Sequence, residues 1–400
     1  MTVALRAALA AALAAAAVAA TGGRALATPS FARQTELGCA ACHQPAWPEL
    51  SELGWAFKER GYQLPLGADD PVRQARSIRP GGPGERLELL RQVPLALRAQ
   101  SAVAVPVDPS ETGRSPVELQ MLSDLFLLAG APVYRNLSFS ASASIAPEPF
   151  LHHASLGLHD LLGERVLSVR AGRILLLDFL RPNHRRLTRE PSPVGASQVG
   201  LEPTRLDSTQ LGLDAYGRPI EPLFWRVAVV QGSQAEDGVS DADAYKDLFG
   251  ELQLTLPGGH ALGALGYSGR SQITDQARGV EVRFTDRFWI AGAHAELRRG
   301  PLSLFALGLL GRNRDPRGTG DAIAYRALRA DAQLALPGGL VALIRYDRVL
   351  SDDDPSLDAE RLAAHATWLA VGNLALRFEA QLDMLDFDRS TLYALFDLAL

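Results

Sequence analysis

The stretch Leu374-Ala375-Leu376-Arg377-Phe378-Glu379-Ala380-Gln381-Leu382-Asp383-Met384 alternates between two kinds of side chain. Successive side chains of an extended strand point to opposite faces. One face therefore carries leucine, phenylalanine and methionine, and the other carries charged and amide groups. A half-buried strand of a soluble protein alternates in the same way. One segment therefore proves little, and the discriminating feature is repetition at a length near ten residues, which a tilted strand needs to cross a membrane.

The same pattern recurs from about Leu87 to the C-terminus. It is clear from Trp289 to Arg298 and from Val341 to Asp347. Further segments begin near Val93, Val117, Asn136, Leu151, Val166, Gln210, Phe224, Tyr245, Ala261, Ser303, Tyr325, Arg361 and Thr391. The total is roughly sixteen, an even number in the range of bacterial outer-membrane barrels.

Connector lengths alternate as well. Short connectors fall at 257–259, 298–301, 337–339 and 372–373, and long polar ones fall near 105–117, 177–209, 233–243, 269–281, 311–324 and 348–360. Short periplasmic turns and long external loops are typical of these barrels. The pattern predicts an all-β fold, a transmembrane antiparallel β-barrel of about 16 strands. A soluble β-sandwich or β-helix is the rival fold. Charged residues on the inward face favour the barrel, with a water-filled interior.

The last segment and the aromatic residues support the barrel. Leu392, Ala394, Phe396, Leu398 and Leu400 share one face, as in the C-terminal strand of outer-membrane proteins. Residues expected at the membrane interfaces are Trp225, Trp289, Tyr346, Trp368 and Tyr393. The net charge of −5 gives no reason to expect a nucleic-acid partner.

The only two cysteines of the 400 residues lie in Cys39-Ala40-Ala41-Cys42-His43. C-x-x-C-H is the attachment sequence of a c-type haem. It predicts one covalent haem c, bound through Cys39 and Cys42, with His43 as the proximal ligand of the iron. A thioredoxin-like site would need a β-α-β context, and a zinc site would need four ligands. A disulfide between the two cysteines remains an alternative.

Residues 1–27 are typical of a signal peptide. A basic residue, Arg6, precedes an apolar run that ends near Ala20, and Ala25-Leu26-Ala27 forms an A-x-A cleavage site. The apolar run is short for a membrane anchor. The predicted organisation is a signal peptide (1–27), a monohaem cytochrome c segment (28–80) and an outer-membrane β-barrel (87–400).

The cytochrome segment is similar to the fused outer-membrane monohaem cytochrome–porins known from iron-oxidising bacteria. The residues that carry this resemblance are Pro29 to Thr35, Cys39 to His43, Pro48-Glu49-Leu50, Leu53-Gly54, Phe57-Lys58 and Gly61-Tyr62. The family typically has F-G-R-x-F-K where this chain has Leu53-Gly54-Trp55-Ala56-Phe57-Lys58. The resemblance implies electron transfer between an extracellular donor, such as Fe(II), and a periplasmic cytochrome or other carrier, across the lipids of the outer membrane.

Two other functions stay open at this point. The chain could be a diffusion porin whose haem is a plug or redox gate. Peroxidase-type chemistry would need a distal acid–base group that the sequence does not identify.

A helix is predicted from Glu49 to Arg60, ending at Gly61. Because this unit is too small to bury a haem alone, we expect the barrel interior to supply the remaining walls.

The sixth ligand of the haem iron is the main gap in the predicted site. Met121 and Met384 share faces with leucines, so we expect them to face lipid. Candidates on lumen-facing positions are His153, His159, His294 and His365, with His260 beside a short turn and His184 in the longest external loop.

Overall fold

The computed structural model describes residues 29–43, 49–64, 77–78, 89–90, 93–112, 115–134, 136–146, 150–180, 187–232, 243–275, 282–371 and 373–400. The predicted signal peptide lies outside these residues. So does His184.

Sixteen antiparallel strands form one closed barrel. They are β1 (Leu95–Pro106), β2 (Glu118–Tyr134), β3 (Leu137–Ala146), β4 (Phe150–Leu158), β5 (Ser168–Leu175), β6 (Thr209–Ile220), β7 (Leu223–Val230), β8 (Asp247–Leu256), β9 (His260–Asp275), β10 (Val282–Arg299), β11 (Leu302–Asn313), β12 (Ile323–Leu336), β13 (Leu340–Leu350), β14 (Ala359–Val371), β15 (Leu374–Asp383) and β16 (Thr391–Ala399). Each strand pairs with its neighbours in sequence, and β16 closes the barrel on β1. Closure pairs the edges that an open sheet would expose. The predicted fold class is confirmed.

The two faces of each strand separate as predicted. In β15, Ala375, Arg377, Glu379 and Gln381 are buried inside the barrel. On the outer face, apolar side chains are exposed, including Leu252, Leu262, Trp289, Leu310 and Ile344. Met121 and Met384 are exposed too. This outward apolar surface is what a lipid-facing barrel needs.

One aromatic prediction is wrong. Tyr393 is buried, and its hydroxyl donates a hydrogen bond to Oε1 of Glu190 inside the barrel. The alternation of β16 places Tyr393 on the same face as Leu395 and Asp397, both buried. A tyrosine near a strand end therefore belongs to the lumen here, because its strand phase, rather than its position along the strand, decides which side it faces.

Both ends of the barrel segment, Leu95 and Ala399, lie at the end that carries the short turns, which we call the short-turn end. The turns 221–222, 257–259, 300–301 and 337–339 lie there as well. The connection between β5 and β6 is the longest one at the opposite end. Its described parts include a short helix, Pro193–Ala196.

The β5–β6 connection folds into the barrel. Arg189 binds Glu379 of β15 through its backbone N–H at 2.7 Å, and Ser192 binds Asp347 of β13 at 2.5 Å. Its apolar side chains, including Leu177, Val194 and Leu206, join a core with inward residues of the wall. Those wall residues include Phe249, Tyr267, Phe305 and Leu309.

The interior is therefore more closely packed than the water-filled lumen that the sequence suggested. Inward charges are present as predicted, but they pair with each other. Arg226 lies 2.9 Å from Asp214, and Arg345 lies 2.6 Å from Asp347, all four side chains being fully buried. Paired charges can be buried at a tolerable cost, whereas single ones cannot.

Among the described residues, three helices precede the barrel. They are α1 (Pro29–Thr35), α2 (Cys39–Cys42) and α3 (Glu52–Glu59). The predicted helix Glu49 to Arg60 is thus confirmed in its centre and is shorter at both ends. Two-residue strands, Ser77–Ile78 and Leu89–Leu90, pair with each other. Among the described residues, no helix has the length and apolar character needed to span a membrane.

Candidate functional site

The C-x-x-C-H motif lies in and just after α2. Cys39 begins this short helix, and Cys42 ends it with a free thiol that is partly exposed. His43 follows and forms an isolated antiparallel bridge with Leu50. The structure therefore places Cys42 and His43 beside each other at the entrance to α3. The side chain of Cys39 lies outside the description.

The ring of His43 is oriented by the backbone. Its Nδ1 lies 3.0 Å from the carbonyl oxygen of Glu49. A carbonyl oxygen can only accept, so Nδ1 carries the proton and Nε2 is the nitrogen able to bind a metal. Iron- and zinc-ligating histidines are commonly fixed in this way by a hydrogen bond from their other nitrogen. This contact fits the predicted role of His43 as a haem ligand.

Ser51 joins the motif to α3. As the N-cap of α3, its Oγ accepts a hydrogen bond from the N–H of Gly54 at 3.1 Å, and it donates to the carbonyl of Ala41 at 2.7 Å. The N–H of Ser51 donates to the carbonyl of Cys42 at 2.9 Å. N-cap serines typically stabilise a helix by about 1 kcal/mol. Here the same side chain also fixes the position of α2.

Gly54 allows α2 and α3 to approach closely. A Cβ at this position would overlap the carbonyl oxygen of Cys42. The clash would be with backbone, which cannot move aside as a side-chain tip can. Glycine at 54 is therefore required by the contact of α3 with the C-x-x-C-H motif.

The environment of Cys42 disfavours a redox dithiol. Burial raises the pKa of the Cys42 thiol. Redox-active C-x-x-C motifs instead have a lowered thiol pKa, because the thiolate is the reactive form. Haem attachment through Cys39 and Cys42 stays a prediction.

An aromatic cluster connects the segment to the wall of the barrel. Phe31 of α1 stacks on Tyr62 with ring centroids 4.6 Å apart, and it meets Phe57 of α3 edge to face at 5.4 Å. The tip of the Phe31 ring lies against Gly130 of β2. Gln34 donates to the carbonyl of Gly130 at 3.1 Å. The segment is thus packed inside the barrel near its short-turn end.

Buried ion pairs fix the C-terminal end of α3. Glu59 lies 2.8 Å from Arg165 and 2.9 Å from Arg218. The neighbouring Arg60 lies 2.9 Å from Asp160. Glu59 and Arg60 are almost fully buried. Removing one partner from such a pair leaves an uncompensated charge, which costs about 3 to 5 kcal/mol.

A second set of contacts fixes the N-terminal end of α3. Arg298 of β10 donates to the carbonyl of Leu50 at 2.6 Å and lies 3.3 Å from the carboxylate of Glu49. Glu49 is the residue whose carbonyl holds His43. The orientation of the predicted haem ligand is therefore tied to the barrel wall.

Trp55 and Lys58 face the inserted β5–β6 connection. Trp55 stacks with Phe179 at 6.4 Å, and Lys58 forms an ion pair with Asp178 at 3.2 Å. The Lys58 ammonium also lies 4.8 Å from the Phe179 ring, within the range of a cation–π contact. Trp55 stands where the resembling family has arginine. In this chain the position is used for packing.

Gly61 and His159 meet where α3 ends. Gly61 has a φ of 63°, and a Cβ there would overlap Nε2 of His159 and Oγ of Ser138. Nε2 of His159 lies 2.7 Å from Ser138 Oγ, and Nδ1 lies 3.4 Å from the Tyr216 hydroxyl. Burial, together with nearby Arg170, lowers the pKa of His159 to about 4. His159 is thus neutral and already engaged at both nitrogens.

The other described histidines predicted as candidates for the sixth iron ligand differ in their positions and hydrogen bonds. His153, His294 and His365 face the lumen, and His260 lies beside the turn 257–259, as predicted. His365 is engaged by Glu379 at 2.9 Å and by Thr367 at 2.6 Å. No group of three or more histidine, cysteine or acidic side chains within the described ranges is arranged to hold a metal ion.

Several residues of the site are not found by sequence reasoning. Ser51 and Gly54 lie inside the resembling segment, but only the fold shows that they contact Ala41 and Cys42. Arg165 lies in the connection between β4 and β5 and Arg218 lies in β6, both more than 100 residues beyond Glu59. An inward strand phase at Arg218 is the one sequence signal that could have found either of them.

The sequence matches no family model and no curated protein. The fold, by contrast, is similar to solved outer-membrane proteins. OmpT of Vibrio cholerae, in a trimer form folded in vitro, aligns with a TM-score of 0.56 and 8% identity, over 77% of this chain and 99% of its own. The outer-membrane channel DcaP of Acinetobacter baumannii gives a TM-score of 0.56 and 10% identity, over 76% and 96%.

OmpF of Salmonella typhi, in complex with daunomycin, gives a TM-score of 0.55 and 13% identity, over 79% of this chain and 98% of its own. At these identities the likeness shows the fold, a sixteen-stranded barrel of the outer-membrane porin type. The part of this chain that remains uncovered is about as long as the residues that precede β1.

Proposed function

We propose that this chain is an outer-membrane protein that carries electrons through a haem c held inside the short-turn end of a porin-type barrel. Cys39 and Cys42 would form the thioether bonds, and His43 would be the proximal ligand. The observation that carries this proposal is the 3.0 Å contact of His43 Nδ1 with the Glu49 carbonyl, within a C-x-x-C-H motif.

When bound, a haem c supplies a one-electron carrier whose potential its axial ligands and surroundings set. The residues of this chain hold and enclose it. The Glu49 carbonyl orients His43, Ser51 and Gly54 hold α2 against α3, and Arg298 anchors Glu49 to β10. Donor and acceptor would meet the protein at opposite ends, an extracellular reductant such as Fe(II) at the long loops and a periplasmic carrier at the short-turn end.

The localisation belongs to the same proposal. Export through residues 1–27, an outward apolar surface and a porin-type fold together support an outer-membrane position. Since short turns are periplasmic in such barrels, the haem segment would lie on the periplasmic side.

A second function is supported by the fold itself. The solved structures that resemble this chain include an outer-membrane channel and porins. They support a diffusion porin more directly than they support electron transfer, and the haem-containing plug is our addition to that alternative. The ion pairs and aromatic contacts between α1, α3 and the wall are those expected of such a plug.

One purification separates the proposals. The protein would be purified in detergent from outer membranes and run on a denaturing gel stained for covalent haem, alongside Cys42→Ala. A stained wild-type band and an unstained variant band are expected. Single-channel conductance in planar bilayers then discriminates further, because an electron carrier with a closed lumen conducts little, whereas a diffusion porin conducts freely. An unstained wild-type band would refute both haem readings.

A further inference from the structure

Five arginines form a band on the outer surface of the barrel, one on each of five successive strands. They are Arg270 of β9, Arg287 of β10, Arg312 of β11, Arg326 of β12 and Arg348 of β13. Each side chain points outward, because its two neighbours in the strand face the interior. All five lie in the half of their strand that ends at the long loops, so the band crosses one side of the barrel at that level.

The strand register brings these like charges close together. Arg270 lies directly opposite Arg287. Arg312 is a diagonal neighbour of Arg287. Further along the band, Arg326 is the diagonal neighbour of both Arg312 and Arg348. Opposite residues lie about 5 Å apart and diagonal ones about 7 to 8 Å, within reach of long side chains, so the five cations repel one another.

The protein itself supplies little opposite charge to the centre of the band. Within the described ranges, the exposed side chains of Arg287 and Arg312 form no ion pair or hydrogen bond. The guanidinium of Arg270 lies 4.0 Å from the ring of Tyr245, a cation–π contact that leaves its charge in place. The centre of the band can therefore accept an anion from outside the chain.

The two arginines at the other end of the band have only loose ion pairs. Arg326 lies 3.9 Å from Asp352, and Arg348 lies 3.8 Å from Glu360. The side chains of the two arginines stay 63% and 46% exposed. Exposed pairs of this kind contribute little, so they leave the repulsion along the band largely in place.

The band borders the apolar outer surface of the barrel. Leu310, two residues from Arg312 towards the short turns, is exposed. Trp289 lies opposite Arg312 and is 46% exposed, and tryptophan is enriched at the level of lipid headgroups. On the opposite wall, the exposed residues of β2 near the long loops, Leu119 and Met121, are apolar. The band thus lies at headgroup level on one side of the barrel.

We infer that this band binds the phosphate groups of a phosphorylated glycolipid in the outer leaflet of the outer membrane. Guanidinium groups bind phosphate oxygens in bidentate pairs, and basic clusters at headgroup level recognise anionic lipids. The apolar surface beside the band receives the acyl chains. The inference rests on the localisation proposed above, with the long loops outside the cell, and it does not need the haem.

The test is binding of lipid A, which carries two phosphates, to the full-length protein in zwitterionic detergent, measured by native mass spectrometry. The double variant Arg287→Gln/Arg312→Gln should lose at least tenfold in affinity. The matched control is Arg299→Gln, an exposed arginine at the short-turn end of β10, which should bind as wild type. Removing both phosphates from the lipid should weaken wild-type binding to the level of the double variant.

Three results would overturn the inference: an unchanged affinity of the double variant, equal binding of the phosphate-free lipid, or displacement of lipid A by inorganic phosphate at equal concentration. The last result would indicate a site for a free anion. Loss of lipid A binding would leave the haem proposal standing, and a protein without covalent haem would leave this inference standing. A wild type absent from the outer-membrane fraction would refute the localisation and this inference together.

Thermal unfolding gives a second measurement on a single variant. Without lipid, Arg287→Gln should raise the Tm, because the repulsion from Arg270 is removed. The same variant should gain less Tm than wild type when lipid A is added, because a ligand stabilises only the state that binds it. A lower Tm without lipid, together with a full gain from lipid A, would assign Arg287 a packing role and contradict the inference.

Discussion

Nδ1 of His43 lies 3.0 Å from the carbonyl oxygen of Glu49, and Arg298 of the barrel wall holds the carboxylate of the same glutamate at 3.3 Å. One residue therefore orients the predicted haem ligand and anchors it to β10. A short segment that cannot bury a haem alone is thereby given a fixed position inside a larger structure.

Replacing Gly54 should separate the motif from α3 while leaving the barrel intact. In Gly54→Ala the new Cβ meets the backbone of Cys42, so we expect a severalfold loss of covalent haem per barrel. The measurement is the haem-to-protein ratio of folded, detergent-purified protein. Gly38→Ala is the control, since a Cβ there meets nothing within 4 Å. Equal haem content in the two variants would contradict the close packing of α2 on α3.

Removing the charge of Glu59 should loosen the segment from the wall. Glu59→Gln leaves Arg165 and Arg218 buried without their carboxylate, a loss of about 3 to 5 kcal/mol. We expect faster proteolysis between α1 and α3 and a higher single-channel conductance. Glu52→Gln, on an exposed position of the same helix, should behave as wild type. If both variants conduct alike, Glu59 does not hold the segment in the lumen.

Acidification should weaken the packing of the C-terminal end of α3 against the barrel, because His159 lies beside Gly61 there. Its folded pKa is about 4, below the ordinary value of 6.5, so the folded state favours the neutral ring. The stability that this gives is complete above pH 6.5 and is lost as the pH falls towards 4, by at most about 1.4 kcal/mol per pH unit. Hydrogen exchange of residues 52–62 should therefore accelerate over this window. His159→Gln should remove the acceleration, and an unchanged pH dependence in that variant would exclude His159 as its source.

The inserted β5–β6 connection should show the opposite pH dependence. Glu202 is buried and accepts a hydrogen bond from Ser271 at 2.7 Å, and burial raises its pKa from 4.5 to about 7. The folded state thus favours the protonated carboxyl. Docking of the connection should be strongest below pH 4.5 and weaken as the pH rises to about 7. Hydrogen exchange of residues 197–208 measures this, and Glu202→Gln should flatten the response. A slope that survives in the variant would assign it to another group.

The barrel could be predicted from the sequence because strand alternation and connector length are both local features of the chain. Alternation and connector length fix strand phase and number, as β15 shows with Arg377, Glu379 and Gln381 inside and the leucines outside. The prediction for Tyr393 is wrong because strand phase, and not position near a strand end, decides which side of the barrel a side chain faces. The closely packed interior could not be predicted, because the inserted connection contacts strands far away in sequence.

The candidate site likewise contains residues that the sequence reveals and residues that only the fold reveals. Cys39, Cys42 and His43 are recognisable because covalent haem attachment requires a fixed spacing. The groups that orient and enclose them come from the fold: Ser51 and Gly54 through the packing of two helices, and Arg218 and Arg298 through distant strands. The contacts of Arg218 and Arg298 with the segment depend on closure of the barrel, so the local sequence does not reveal the partners of these two residues.

The central claim is best tested by the visible spectrum of the detergent-purified, full-length protein before and after Fe(II) is added at controlled pH. The account predicts a covalent haem c spectrum that Fe(II) converts to the reduced form within seconds. A haem that only dithionite reduces would contradict Fe(II) oxidation and favour the porin with a haem plug. A spectrum without haem would contradict the account as a whole.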